Sequence, residues 1–219
     1  MFNKIADNRN PDSLSAKYRK KRFLLFENLI AQLEKPIRIL DVGGTQRFWE
    51  VMGLSELDGV YITLINIDNQ TVSSPNFKSV VGNACDMRVF TDGWFDVVFS
   101  NSVIEHVGGN EDQIQMAEEV KRVGNRYFIQ TPNKYFPIEP HFLFPFFQFL
   151  PIPFRIWLLC HFDLGWVKKV KNFEEANNTI TSIRLLKKGE FIHLFPEASL
   201  YEEKIMGITK SFIVYYGWD

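Results

Sequence analysis

ILDVGGT at residues 39–45 and FDVVFSN at residues 95–101 decide how this chain reads. Each is a short apolar run that stops on polar or glycine residues, the form of a strand buried on both faces. Between them residues 60–67 make a third such run, and it ends at Asp68. In an open parallel α/β sheet, ligands bind just beyond the carboxyl ends of the strands, where such polar ends collect. Gly43 and Gly44 form the first turn, and the missing Cβ there lets backbone approach a ligand closely. Thr45 is placed to cap a helix carrying Phe48, Val51 and Met52, whose first N–H groups favour a carboxylate.

The flanking sequence extends the alternation. Asp12 or Ser13 can cap a helix running to about Glu34, ended by Pro36, with Leu25, Leu29 and Leu33 beside Phe26 and Ile30 as its apolar stripe. Its front carries Lys17, Arg19, Lys20, Lys21 and Arg22, read as a solvated face or as a patch that steers an anionic substrate or meets a membrane surface. Residues 77–81 form a third strand, followed by GNACD at 82–86. Asn110 and Gln113 have capping-box spacing and open a helix with Ile114, Ala117, Val120 and Val123 on one side. Gly124 ends it. Residues 126–130 make strand five, with Thr131-Pro132-Asn133 as the loop beyond. This β-α-β order predicts a doubly wound, Rossmann-like, mostly parallel α/β sheet.

The phrase FDVVFSNSVIEHV at 95–107, the DVGG turn and the acid at Asp68 together resemble the class I S-adenosylmethionine (SAM)-dependent methyltransferases, of the type 11 kind. The resemblance runs from about residue 35 to the C-terminus and implies SAM as cofactor. It implies that Asp41, Gly43 and Gly44 belong to the cofactor loop and that Asp68 accepts hydrogen bonds from both ribose hydroxyls. A carboxylate offers two acceptor oxygens to two adjacent donors. Asp68 follows the glycine turn by slightly more than the roughly 20 residues at which a ribose-binding acid stands; its plainer reading is a turn residue before Asn69. Asn83 takes the place of the acid that binds the adenine amino group, and the Ala84 N–H can donate to the ring. Ser100 and Asn101 line the methionine half, and Asp86 is expected as a local cap. One departure is plain: Thr45 and Arg47 stand where the family places further glycines. The two C-terminal runs, residues 201–206 and 210–216 joined by Gly207-Ile208-Thr209, resemble the family's closing hairpin, whose last strand inserts antiparallel. Before them LLKKGEFIHLFPEA at 185–198 reads as a short amphipathic helix, with His193 expected as core or edge packing.

One domain over 1–219 is expected, with an N-terminal helix in 1–35 and an aromatic-rich, substrate-covering insertion at 134–183. The run at 142–160 approaches a membrane span in length, but Pro145, Pro151 and Pro153 break it and Gln148 and Arg155 lie inside it, so a transmembrane helix is excluded. The insertion carries IEPHF, in which Glu139 can hold the His141 imidazole in a proton-accepting tautomer. His141 and His106 are the candidate catalytic bases; the plainer readings are a histidine packed in an aromatic lid and a structural histidine at a strand end.

A net charge of −1 over 219 residues argues against nucleic acid as partner. Two cysteines, Cys85 and Cys160, offer no metal spacing, and no metal is expected. No basic-then-apolar leader starts the chain, so a reduced, cytoplasmic setting is expected. The activity expected is methyl transfer from SAM to a small-molecule, lipid or glycan acceptor, with peripheral membrane contact through the aromatic insertion. Two alternatives remain at this stage. The altered glycine loop fits a non-catalytic SAM-binding scaffold, and Asp68 would also suit an NAD-type oxidoreductase, although G-x-G-x-x-G is missing.

Overall fold

The computed structural model describes residues 13–54 and 58–218. The chain opens with α1 (Leu14–Ile30), capped by Ser13, whose hydroxyl accepts from the Ala16 N–H at 3.0 Å. The alternative cap, Asp12, lies outside the described residues. Then follow β1 (Ile37–Val42), α2 (Gln46–Met52), β2 (Val60–Asn66), β3 (Phe77–Val81) and β4 (Val97–Asn101). After a 3₁₀ turn at Ile104–His106 come α3 (Asn110–Val123) and β5 (Tyr127–Pro132). The insertion holds a two-strand hairpin, β6 (Ile138–Glu139) and β7 (Phe144–Pro145), with α4 (Ile152–His161) and α5 (Phe173–Thr181). The chain closes with α6 (Lys188–Leu194), β8 (Ser199–Ile205) and β9 (Ile208–Tyr216).

The main sheet has seven strands in the order β3-β2-β1-β4-β5-β9-β8. β1 lies between β2 and β4 and runs parallel to both, so the chain winds outward in opposite directions from this strand. β9 enters antiparallel beside β5, as the closing-hairpin resemblance implies. Helices cover both faces. On one face Phe23 and Phe26 of α1 meet Trp49, Phe99 and Phe128, with the Phe26 ring 4.8 Å from Phe99 and 5.2 Å from Phe128. Full burial of one such ring is worth about 1.5–3 kcal/mol, and edge-on ring pairs add about 0.5–1.5. On the other face Met116, Ala117, Val120 and Val123 of α3 pack with Phe191 and Leu194 of α6.

Several boundaries differ from the sequence expectation, each for a local reason. α1 stops at Ile30 rather than near Glu34: the Gln32 and Leu33 N–H groups bond three residues back in a tightened turn. α3 is capped one residue earlier than expected, the Gly109 N–H donating to Asp112 rather than Asn110 pairing with Gln113. β5 runs on through Thr131 and Pro132 because β9 supplies partners there, Phe212 and Ser211. Met206 and Gly207, both at positive φ, make the hairpin turn, which leaves Ile208 and Thr209 inside β9. His193, expected as packing, is exposed. No described helix is long and apolar enough to cross a membrane.

The glycine turn after β1 is held from below. The Asp41 carboxylate is buried and accepts from the Trp49 indole N–H at 2.7 Å. Trp49 and Gln46 are thus the buried residues of α2, whereas Val51 is 59% exposed. The Thr45 side chain makes no capping bond. A Cβ at Gly44 would lie 1.7 Å from the Asp41 carboxylate, and one at Gly43 would lie 2.6 Å from Val103 at a φ of +75°. The glycines are therefore required by the protein's own packing. A bulky residue at Gly43, expected from sequence to obstruct the cofactor, fails first on Val103 and on backbone strain.

Two outcomes follow from this packing. Gly44→Ala should push Asp41 and Trp49 apart and lower unfolding stability by about 1–3 kcal/mol, the scale of overpacking, read by urea denaturation. Burial raises the Asp41 carboxyl to about 7, against the lowering effect of the Trp49 bond. A raised native value stabilises below the unfolded value and loses that contribution as pH rises toward 7. Asp41→Asn should therefore gain on wild type by on the order of 1–4 kcal/mol between pH 4 and pH 8; parallel stability curves for the two proteins would disprove this.

Candidate active site

The carboxyl end of β4 leads into a strained turn. Ser102 takes a φ of 59°, a left-handed conformation that costs a non-glycine residue about 1–2 kcal/mol. Its N–H donates to the Gln130 carbonyl and its hydroxyl to Gln130 Oε1 at 2.8 Å, which hold the turn against β5. The chain then doubles back through the 3₁₀ turn, which carries Glu105 and His106. Glu105 is fully buried. Its Oε2 accepts from the Thr131 hydroxyl at 3.0 Å, while its Oε1 is buried without a hydrogen-bond partner. Burial raises this carboxyl to about 7.

The insertion brings the second histidine. Glu139, 2% exposed, accepts three bonds: from the His141 backbone N–H at 2.8 Å, from the Phe142 N–H at 2.7 Å, and from His141 Nδ1 at 2.7 Å. The last bond turns His141 Nε2 outward, and it meets His106 Nε2 at 3.0 Å with the two rings at 89°. Burial pulls the His141 imidazole down, but the Glu139 bond and the charges of Glu139 and Glu105 outweigh it and leave the value raised. His106 keeps an exposed face, but desolvation by the surrounding protein, then the neighbouring His141 charge, lowers its imidazole to about 4, so it is neutral at pH 7. The sequence pairing of Glu139 with His141 and the two candidate histidines thus meet in one array.

This insertion has a core of its own, with Phe142, Phe147, Ile156, Leu159, Ala176 and Ile180 among its buried residues. Its far end is tied to the same turn: the Arg184 N–H donates to the Glu105 carbonyl at 2.8 Å, and Gln113 Nε2 donates to the carbonyls of Ile104 and Arg184. Many of its rings remain outside. Phe146, Phe149, Phe154, Trp157, Phe162 and Trp166 are exposed, with Phe154 stacked on Trp157.

The other expected residues are distributed around the same sheet edge. Asp68 lies two residues past β2, exposed, and no described side chain bonds its carboxylate. Gly43 is exposed and Gly44 half-buried, with Asn101 half-buried at the end of β4. Ser100 is fully buried and its hydroxyl donates to the Val42 carbonyl at 3.3 Å, and Asp41 faces Trp49, so these two support the loop from inside. Asn83 Oδ1 accepts from the Cys85 N–H at 2.9 Å, and Ala84 is half-buried. Asp86 pairs with Arg88 at 2.6 Å. An open carboxylate at Asp68 beside an exposed glycine turn matches the two-donor face of a ribose and the backbone contacts a nucleoside cofactor needs.

Sequence reasoning missed three parts of this region. Glu105 was passed over because nothing local says that a buried carboxylate oxygen will lack a partner. Thr131, assigned to a loop, is in β5. The basic cluster on α1 is split: Lys17, Lys20 and Lys21 are exposed, while Arg19 and Arg22 turn inward. Arg22 approaches Glu203 at 3.8 Å, Lys210 approaches Glu203 at 3.4 Å, and Lys210 lies over the Tyr18 ring at 5.4 Å. The Lys210 carbonyl accepts from Asn133, directly beyond β5. Burial lowers Arg19 to about 10, and its Nε is buried without a partner.

Residues 40–126 match the methyltransferase-domain family. The uncharacterized protein Rv1509 of Mycobacterium tuberculosis is 40% identical over 40% of this chain and 35% of its own, so the chain spans about a third of the length of the curated relatives it matches. A SAM-dependent methyltransferase from Methanosarcina mazei shares the fold at a TM-score of 0.51 and 13% identity, over 87% of this chain and 94% of that one. A protein from Pyrococcus horikoshii does so at 0.52 and 17%, over 92% and 91%. The glycine turn, the strand-two acid and the strand-four turn all lie inside the segment that is similar to the methyltransferase-domain family.

Proposed function

We propose that this protein transfers a methyl group from SAM to an oxygen or nitrogen of a small-molecule, lipid or glycan acceptor. The observation that carries the reading is the Glu139–His141–His106 array at the turn after β4. SAM supplies an electrophilic methyl on a sulfonium, which leaves proximity, orientation and proton removal to the protein. Asp68, the Gly43-Gly44 turn and Asn101 would hold the cofactor, with Asn83 and Ala84 at the adenine end and Asp41 and Ser100 bracing the loop. Glu139 orients His141, and the imidazole pair accepts the acceptor's proton. The proton can be shared across the 3.0 Å between the two Nε2 atoms.

The acceptor reading draws on two surfaces. Arg19, Arg22 and Lys210 bring three cations beyond the end of β5 against two carboxylates, Glu203 in contact and Glu105 acting on Arg22 by charge. A partly desolvated cationic cluster of this kind favours an acceptor with a negative group. The exposed rings of the insertion adjoin Lys168, Lys169 and Lys171, a combination that supports an amphiphilic acceptor presented at a membrane surface.

Two measurements check the reading. Asp68→Ala should weaken SAM binding by about 1.5–3 kcal/mol, the scale of hydrogen bonds to a charged group, without loss of fold, because the residue is exposed. Calorimetry on the folded variant reads it directly; unchanged affinity removes Asp68 from the site. His141→Ala should cut S-adenosylhomocysteine release, assayed with a cell extract as acceptor source, by roughly 10²–10⁴-fold with SAM affinity retained. A variant at full rate would leave His141 as packing in the insertion.

A further inference from the structure

The structure assigns a divalent transition-metal site to Glu105, His106 and His141. One donor atom from each residue, two imidazole nitrogens and a carboxylate oxygen, lies within 4.8 Å of the others. Two His and one carboxylate with remaining positions open is a donor set for a first-row divalent ion such as Mn²⁺, Fe²⁺, Co²⁺ or Zn²⁺, and a poor one for Ca²⁺ or Mg²⁺, which favour all-oxygen shells.

Three further observations point to an ion. The two Nε2 atoms face each other at 3.0 Å. Nitrogens that share one ion at about 2.0–2.1 Å stand roughly 2.9–3.4 Å apart for angles between octahedral and tetrahedral, so the rings already have the required separation. A hydrogen bond between the imidazoles would give the same distance, but it leaves Glu105 unexplained. That side chain is fully buried, and Oε1 has no partner while Oε2 takes the Thr131 hydroxyl. An unpaired buried carboxylate oxygen is costly, and a metal ion is a partner that removes the cost. The Arg22 charge favours an ionised Glu105 from a distance, but its ion pair is with Glu203 and it makes no hydrogen bond to Oε1. Finally, Glu139 bonds His141 Nδ1 at 2.7 Å and is itself fixed by two backbone N–H groups, the outer carboxylate that orients a metal-binding imidazole and selects Nε2 as the ligand.

The site has a consequence for the reaction that rests on the proposed methyl transfer. An acceptor hydroxyl in an open position on the ion would lose its proton to solvent more readily. The two Nε2 atoms would then be ligands and not proton acceptors, so this route replaces the direct proton transfer of the metal-free imidazole pair, with Glu139 orienting His141 in both. The site itself does not depend on that role.

The test uses the full chain, stripped with chelator and titrated with Co²⁺ or Mn²⁺ alone. Calorimetry should give one ion per chain, and Glu105→Gln, His106→Gln and His141→Gln should each weaken binding at least ten-fold. His161→Gln and His193→Gln, both at exposed positions, should leave it unchanged. If a ligand variant fails to fold, the wild type still decides: Mn²⁺ should broaden the imidazole NMR signals of His106 and His141 before those of His161 and His193. The chain has four histidines, so all can be followed. No stoichiometric binding, binding untouched by Glu105→Gln and His106→Gln, or first broadening at His161 or His193 would overturn the assignment. SAM titration of the metal-free protein reads the methyltransferase proposal separately, since failure there would leave the ion site standing.

Discussion

β1 can pair with β2 on one side and β4 on the other only if the chain crosses over in opposite directions from it, and the rest of the molecule depends on that constraint. The crevice it opens lies beyond the carboxyl ends of β1 and β4, where the helices on the two faces diverge. Everything chemical enters from there: the glycine turn from β1, the open acid after β2, the Ser102 turn from β4, and Thr131 from the end of β5. The Asp41–Trp49 bond is the keystone of the first of these, because the buried carboxylate fills the space that a Gly44 side chain would need.

The site is then closed by a part of the chain that is not in the sheet. Residues 142–183 hold a small hydrophobic cluster of their own, and the segment returns to the strand-four turn at both ends, through His141 to His106 and through Arg184 to Glu105. This double attachment explains why a segment rich in exposed rings can still position an imidazole. Glu139 spends its lone pairs on two backbone N–H groups and one ring nitrogen, so the hairpin and the histidine orientation are set by one buried carboxylate. Its location also keeps water from competing for those bonds.

Electrostatics divide the region in two. Around the histidines, burial keeps His106 neutral and raises Glu105, while Glu139 supports His141. A short way along the sheet edge, Arg19, Arg22 and Lys210 outnumber their acidic neighbours, Glu203 and, acting on Arg22, Glu105. On the proposed reading the first part serves proton or ion chemistry and the second would hold negative charge. Both are partly desolvated, which strengthens each interaction relative to water.

The parallel strands, the glycine turn, the acid after β2 and the closing hairpin were legible in the amino-acid sequence, because each is a local pattern: apolar runs of strand length, a residue without a Cβ, a charge at a run's end. Pairing of Glu139 with His141 was legible for the same reason, since two residues of separation suffice. What only the tertiary structure decided is non-local. His106 and His141 are 35 residues apart and meet because the insertion folds back. Arg19 and Arg22 turn inward while their lysine neighbours stay in water, since the helix face that meets β8 and β9 depends on how α1 docks. Trp49 is buried and Val51 is not, because Asp41 selects the indole. The unpartnered oxygen of Glu105 shows only once its surroundings are packed, for burial and partnership are properties of the assembled molecule, which a local window of residues does not contain.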